Sequence, residues 1–140
     1  MKANNLMIGD WLKHANGKFY QVTRIDVLSN GDIHYACGTP HLWEYNNKFE
    51  PIPLTKEILE KNGFVYKSEG MLYVYYNYAG DGYISIRLSD LLDGEWELAI
   101  DNYDKFNDSH IQYTIDRCFL KVHELQHAMK LCGIEKKIQL

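Results

Sequence analysis

Two Asn-Gly pairs, Asn16-Gly17 and Asn30-Gly31, bracket the β-prone run "KFYQVTRIDVL" and constrain this chain more than any other local feature. Asn-Gly supplies the positive φ that a two-residue type I′ turn needs at both central positions, so each pair predicts a tight hairpin. The flanking runs "GDWLKH" and "DIHYACG" then read as neighbouring strands. In the middle run Phe19, Gln21, Thr23 and Ile25 alternate with Tyr20, Val22 and Arg24, and neither set is wholly apolar. Both faces are therefore expected to be partly covered. A strongly bent small barrel of the SH3-like kind does this within about fifty residues.

"EPIPLTKEILEKNGF" breaks the pattern. Pro51 and Pro53 exclude a central strand, and Thr55 is a good N-cap for a short helix over residues 56–62. Gly63 sits where a left-handed residue ends a helix, and Phe64 can fold back onto Leu59. Two β-prone runs follow around Ala79-Gly80-Asp81-Gly82, with Tyr73 and Tyr75 on one face and Val74, Tyr76 and Tyr78 on the other. "EWELAI" and "HIQYTI" read as two more strands, joined by a polar loop, "DNYDKFNDSH". Val122, Leu125, Met129 and Cys132 recur at three- and four-residue steps, the stripe of a terminal helix facing a core. Gly133 stops that helix and Ile134 can contact Met129. Residues 116–120 fit either the strand or the helix.

No run of 18 apolar residues exists, and the N-terminal "MKANNLMIGD" lacks a signal-peptide core, so a cytoplasmic location is expected. Cys37, Cys118 and Cys132 are odd in number and match no disulfide or CxxC framework, which predicts reduced thiols. From Ser68 to Asp104 eight acids face Arg87 alone. Such a stretch repels phosphate, which disfavours nucleic acid as a partner, and its plainest use is as a solvated face.

"VHELQHAMKLCGI" contains His-Glu-x-x-His, the zinc-binding spacing of many metalloproteases. Two histidines four apart share a helix face and can reach one ion, while the glutamate can deprotonate bound water. His123 and His127 would be the metal ligands and Glu124 the base. A third ligand is missing from the pattern: the metzincin extension needs Gly at 130 and His at 133, where the chain has Lys130 and Gly133. On a helical wheel the two histidines lie about 100° and 140° from Val122, at the edge of the apolar stripe. They read as structural or surface histidines, with no metal and no cofactor; zinc belongs only to the alternative reading.

A second cluster, "HYACGTPH", holds His34, Cys37 and His41. Cys37 shares a strand face with Ile33 and Tyr35, which makes it a core thiol rather than a nucleophile. The tyrosines Tyr73, Tyr75, Tyr76 and Tyr78 lack the interleaved Lys and Arg of a base-stacking site. Cross-strand packing is their simplest role. As a functional surface they suit a protein partner, since tyrosine supplies large contact area.

"LMIGDWLKHANGKFYQVTRID", "EPIPLTKEILEKNGF" and "VHELQHAMKLCGIE" together resemble a family of uncharacterised small proteins encoded by Bacteroides and related gut bacteria. Its members look like prophage or mobile-element cargo. The three blocks span the chain from start to end, while the sheet between them diverges. The resemblance implies no activity. It also implies a Val-His-x-Leu-Gln segment with a residue other than histidine at the position of His127, so zinc is not what the family is built for.

The chain is accordingly expected to be an α+β protein. An N-terminal SH3-like small β-barrel (1–53) precedes a short linking helix and a C-terminal antiparallel sheet packed by a terminal helix (54–140), the alternative being one compact domain, 1–140. The expected function is a non-enzymatic intracellular interaction or accessory module of phage or mobile-element origin, with a protein as partner, no membrane and no specified oligomeric state. The alternative is a zinc-dependent hydrolase using the HELQH segment.

Overall fold

The computed structural model describes residues 6–37, 42–45, 48–79, 82–90, 95–104, 109–118 and 120–140, with backbone alone at 42–45, 79, 109–111, 113 and 115–118. The chain is mostly β, with two antiparallel sheets, a short helix between them in sequence and a C-terminal helix. It forms two compact units. One comprises Met1–Pro53 with Lys121–Gln126, the other Leu54–Leu120 with His127–Leu140.

In the first unit β1 (Trp11–His14), β2 (Phe19–Val27), β3 (Ile33–Cys37), β4 (Leu42–Tyr45) and β5 (Phe49–Pro51) make a sheet in the order β4-β3-β2-β1-β5. β2 serves both halves: Tyr20 and Gln21 pair with β1, whereas Arg24–Val27 pair with β3. The register shifts between Val22 and Arg24, and the Thr23 hydroxyl donates to the Ala36 carbonyl at 2.8 Å. Such a bulge bends a strand, letting one segment continue two differently oriented ladders. Leu12, Val22, Tyr35, Cys37 and Phe49 bury their side chains together, with Tyr35 edge-on to Phe49. Among the described residues no pairing joins β4 to β5 to close a barrel. β5 ends at Pro51 on the sheet edge, where a residue without an N–H leaves no ladder partner unmet.

Both Asn-Gly hairpins differ from the two-residue turn expected of them. His14 N–H donates to Lys18 O at 2.9 Å and Gly17 N–H to His14 O at 2.8 Å; Leu28 and Asp32 repeat the pattern around Gly31. Each loop thus has three residues, and only its glycine is left-handed (φ 84° and 85°). This is a turn followed by a one-residue bulge, which keeps asparagine in ordinary φ. The asparagine side chains serve the turn instead: Asn16 Oδ1 accepts from Lys18 N–H, and Asn30 Oδ1 from Asp32 N–H.

The second unit contains α1 (Lys56–Lys61), β6 (Val65–Lys67), β7 (Leu72–Ala79), β8 (Gly82–Asp90), β9 (Trp96–Asp104) and β10 (Ser109–Cys118), with sheet order β10-β9-β8-β7-β6. α1 ends one residue earlier than its sequence suggests. Thr55 Oγ1 caps it by accepting from Ile58 N–H, and left-handed Gly63 lets Phe64 N–H return to Leu59 O at 3.0 Å. Leu59 and Phe64 are both buried, so this helix end is sealed by an apolar contact as well. The terminal helix α2 (Val122–Leu131) stops in the same way, with left-handed Gly133 and Ile134 N–H bonded to Met129 O.

One buried face of this sheet carries Tyr73, Ile86, Leu88, Trp96 and Leu98. The expected polar loop at residues 101–110 is largely strand: Asp101–Asp104 continue β9 and Ser109 begins β10. Polar residues there pair because their backbone completes ladders that β8 already templates. Residues 116–118 extend β10, and the helix begins only at Val122.

Candidate functional site

The HELQH segment lies at the start of α2, and its polar side chains have structural employment. Glu124 Oε2 accepts from Lys121 N–H at 2.8 Å while Glu124 N–H donates to Lys121 O at 3.0 Å. A glutamate reaching back to the residue before the first turn satisfies a donor that the helix cannot. His123 is 5% exposed, beside fully buried Val122 and Leu125, and both His123 and His127 hold interactions of their own. Gln126 bridges to the first strand region: its Oε1 accepts from Trp11 N–H and its Nε2 donates to Gly9 O, each at 3.1 Å. Among the described residues no group of three His, Cys, Asp or Glu is placed to hold a metal.

Those contacts set an expectation. Glu124→Ala should cost about 1 kcal/mol of stability, the usual worth of a helix cap, read as a lower denaturation midpoint. Elemental analysis of the purified protein should show no stoichiometric zinc. Stoichiometric zinc lost in His127→Ala would restore the hydrolase reading.

The Cys37 thiol is fully buried between Tyr35 and the first unit's core, and burial pushes its pKa from the ordinary 9.0 up to about 11. A thiolate is the nucleophile, so this thiol is inert while folded. His34 is on the opposite face of β3 from Cys37; His41 and the Cys118 side chain lie outside the described residues. The raised value makes the neutral thiol favour the folded state. That contribution is complete below pH 9.0 and is lost as pH climbs through about 11. Alkylation at about pH 8.5, where an ordinary thiol reacts readily, should leave Cys37 unmodified until denaturant is added. Mass spectrometry of the peptide checks this.

The tyrosines divide by strand parity. Tyr73, expected on a partner-binding surface, is only 4% exposed; it packs on Trp96 and Tyr66, and its hydroxyl donates to Glu60 Oε1. Tyr75 is half-buried, tilted against Phe64 with Lys136 Nζ 5.2 Å from its ring centroid. Neither offers an open face. Tyr76 and Tyr78, on the other side of β7, are 43% and 73% exposed and stack at 5.8 Å. Tyr78 stands opposite Tyr83, and Tyr83 opposite Tyr103, so the row continues across β8 and β9. Ring centroids are 5.6 Å apart for Tyr76 and Tyr83 and 5.3 Å for Tyr83 and Tyr103. Desolvation, then the Asp101 carboxylate, holds the Tyr83 hydroxyl above its usual pKa.

No family model, curated protein or solved structure matches this chain.

The same sheet face is polar at its other end. A cavity of about 100 Å³ there is lined by Leu72, Arg87, Ser89, Glu97, Gln112 and Thr114. In the first unit a depression of about 340 Å³ lies between the β1–β2 loop and the start of β5. It contains Lys13 and Glu50, paired to each other at 3.1 Å. Tyr83 and Tyr103 are the members of the aromatic row that local sequence pattern missed. Their signal was cross-strand register, which becomes readable only once three strands are aligned.

Proposed function

We propose that this chain is a non-enzymatic intracellular interaction or accessory module, of phage or mobile-element origin, that takes a protein partner. The observation carrying this reading is the exposed row of Tyr76 and Tyr78, continued by Tyr83 and Tyr103. Rigid aromatic side chains bury large area at low entropic cost and dominate interface energetics. The capping bond of Glu124 further supports a structural rather than catalytic terminal helix.

Within the proposal the first unit is an SH3-like small barrel. Three features favour it: the order β4-β3-β2-β1-β5, the shared and bulged β2, and a core drawn from both halves. Among the described residues no helix is long and apolar enough to cross a membrane.

The test is a pull-down from the native host with wild-type protein and a Tyr76→Ala/Tyr78→Ala double variant. A partner retained by the wild type should be lost about tenfold or more by the variant, the scale of an aromatic hot spot. Absence of any reproducible partner, or equal retention by both proteins, refutes the reading.

A further inference from the structure

β7 has an unfinished edge. Its eight residues pair along their whole length with β8, but on the other side β6 covers only Leu72–Val74. Among the described residues no strand covers Tyr75–Ala79 on that side. Unpaired strand edges template the addition of another strand, and proteins that avoid this place Lys, Pro or inward charges on the edge. The sequence Tyr75-Tyr76-Asn77-Tyr78-Ala79 contains none of them. Of the edge strands with described side chains, β5 carries Glu50 with Pro51 and β6 carries Lys67.

We propose that the free stretch of β7 pairs antiparallel with the same stretch of a second copy of this chain. The segment is self-complementary. A two-fold axis through Asn77 sets Asn77 opposite Asn77 of the partner subunit, whose amide can both donate and accept. The same axis sets Tyr76 opposite Tyr78 of the partner subunit, on one sheet face. Aromatic cross-strand pairs are among the more favourable, and a segment without charge meets no repulsion from its own copy. The pairing closes the ladder of β7 and joins two tyrosine rows into one continuous surface, so each dimer would present a doubled patch. This inference concerns the strand edge and stands whether or not the tyrosine face binds another protein.

Sedimentation equilibrium of the full chain tests it. The wild type should shift from monomer to dimer as concentration rises to about 100 µM, an affinity ordinary for a small interface. Tyr76→Lys/Tyr78→Lys sets ammonium groups opposite one another across the axis and should hold the chain monomeric with unchanged circular dichroism. Asn77→Cys should form an intermolecular disulfide under mild oxidation, because residues facing each other across the axis bring their Cβ atoms to about 4.5 Å, the upper end of what a disulfide spans. The wild type should form no such cross-link. A wild type that stays monomeric throughout, a dimer untouched by the lysine substitutions, or an Asn77→Cys variant that fails to cross-link overturns the proposal.

Discussion

Replacing Asn62 with alanine is expected to destabilise the second unit by about 2–4 kcal/mol, with a fall in melting temperature of roughly 10 °C or more. Asn62 is fully buried at the C-cap of α1. Its amide nitrogen donates to Ile58 O at 2.7 Å and to Gln139 O at 2.8 Å, and its Oδ1 accepts from Gln139 N–H at 2.8 Å. The Asn62 carbonyl accepts from Lys136 Nζ at 2.6 Å. One side chain therefore completes a helix end and pins residues 136–139, which buries Ile138. Alanine removes three hydrogen bonds, two of them to the Gln139 backbone, while the Ile58 carbonyl keeps the backbone N–H of residue 62; a lost partner costs more than a hydrogen bond gains. Amide hydrogen exchange at Gln139 should accelerate in the variant even where the sheet stays protected. An Asn62→Ala protein as stable as the wild type would show that the tail docks by apolar contact alone.

Gly82→Ala is expected to cost about 2–3 kcal/mol, through overpacking at a backbone rather than through lost freedom. A Cβ built at Gly82 lies 2.4 Å from the Tyr103 carbonyl oxygen, so β8 and β9 must part where Tyr83 and Tyr103 meet. Gly31→Ala is the matching control. Its Cβ meets nothing within 4 Å, but φ is +85°, so only the left-handed penalty of about 1 kcal/mol applies. Denaturant titration of both variants separates the two effects. If Gly82→Ala loses no more than Gly31→Ala, the close approach of β8 and β9 is looser than described.

Local devices were legible in the residues themselves. Thr55 as a cap, Gly63 and Gly133 as helix stops, and Phe64 and Ile134 as the apolar seals all behave as their spacing predicts. So does the alternation that separates Tyr73 from Tyr76 and Tyr78. The HELQH segment was half legible. Its departure from the metzincin extension could be read from Lys130 and Gly133, but the capping role of Glu124 and the anchoring role of Gln126 could not. The same limit hid β4, β5 and β6, which are three or four residues long and carry no periodicity of their own.

Everything read from sequence here was decided within one turn or one strand, because backbone geometry repeats every two or about 3.6 residues and so writes itself into spacing. Turn type was already beyond that reach: Asn-Gly marks where the chain reverses, while the register of paired strands chose three-residue loops over two. Which tyrosines see solvent, and which distant backbone the Asn62 side chain ties down, were settled by tertiary structure alone. Each depends on partners tens of residues away, whose identity is a matter of packing and carries no local period.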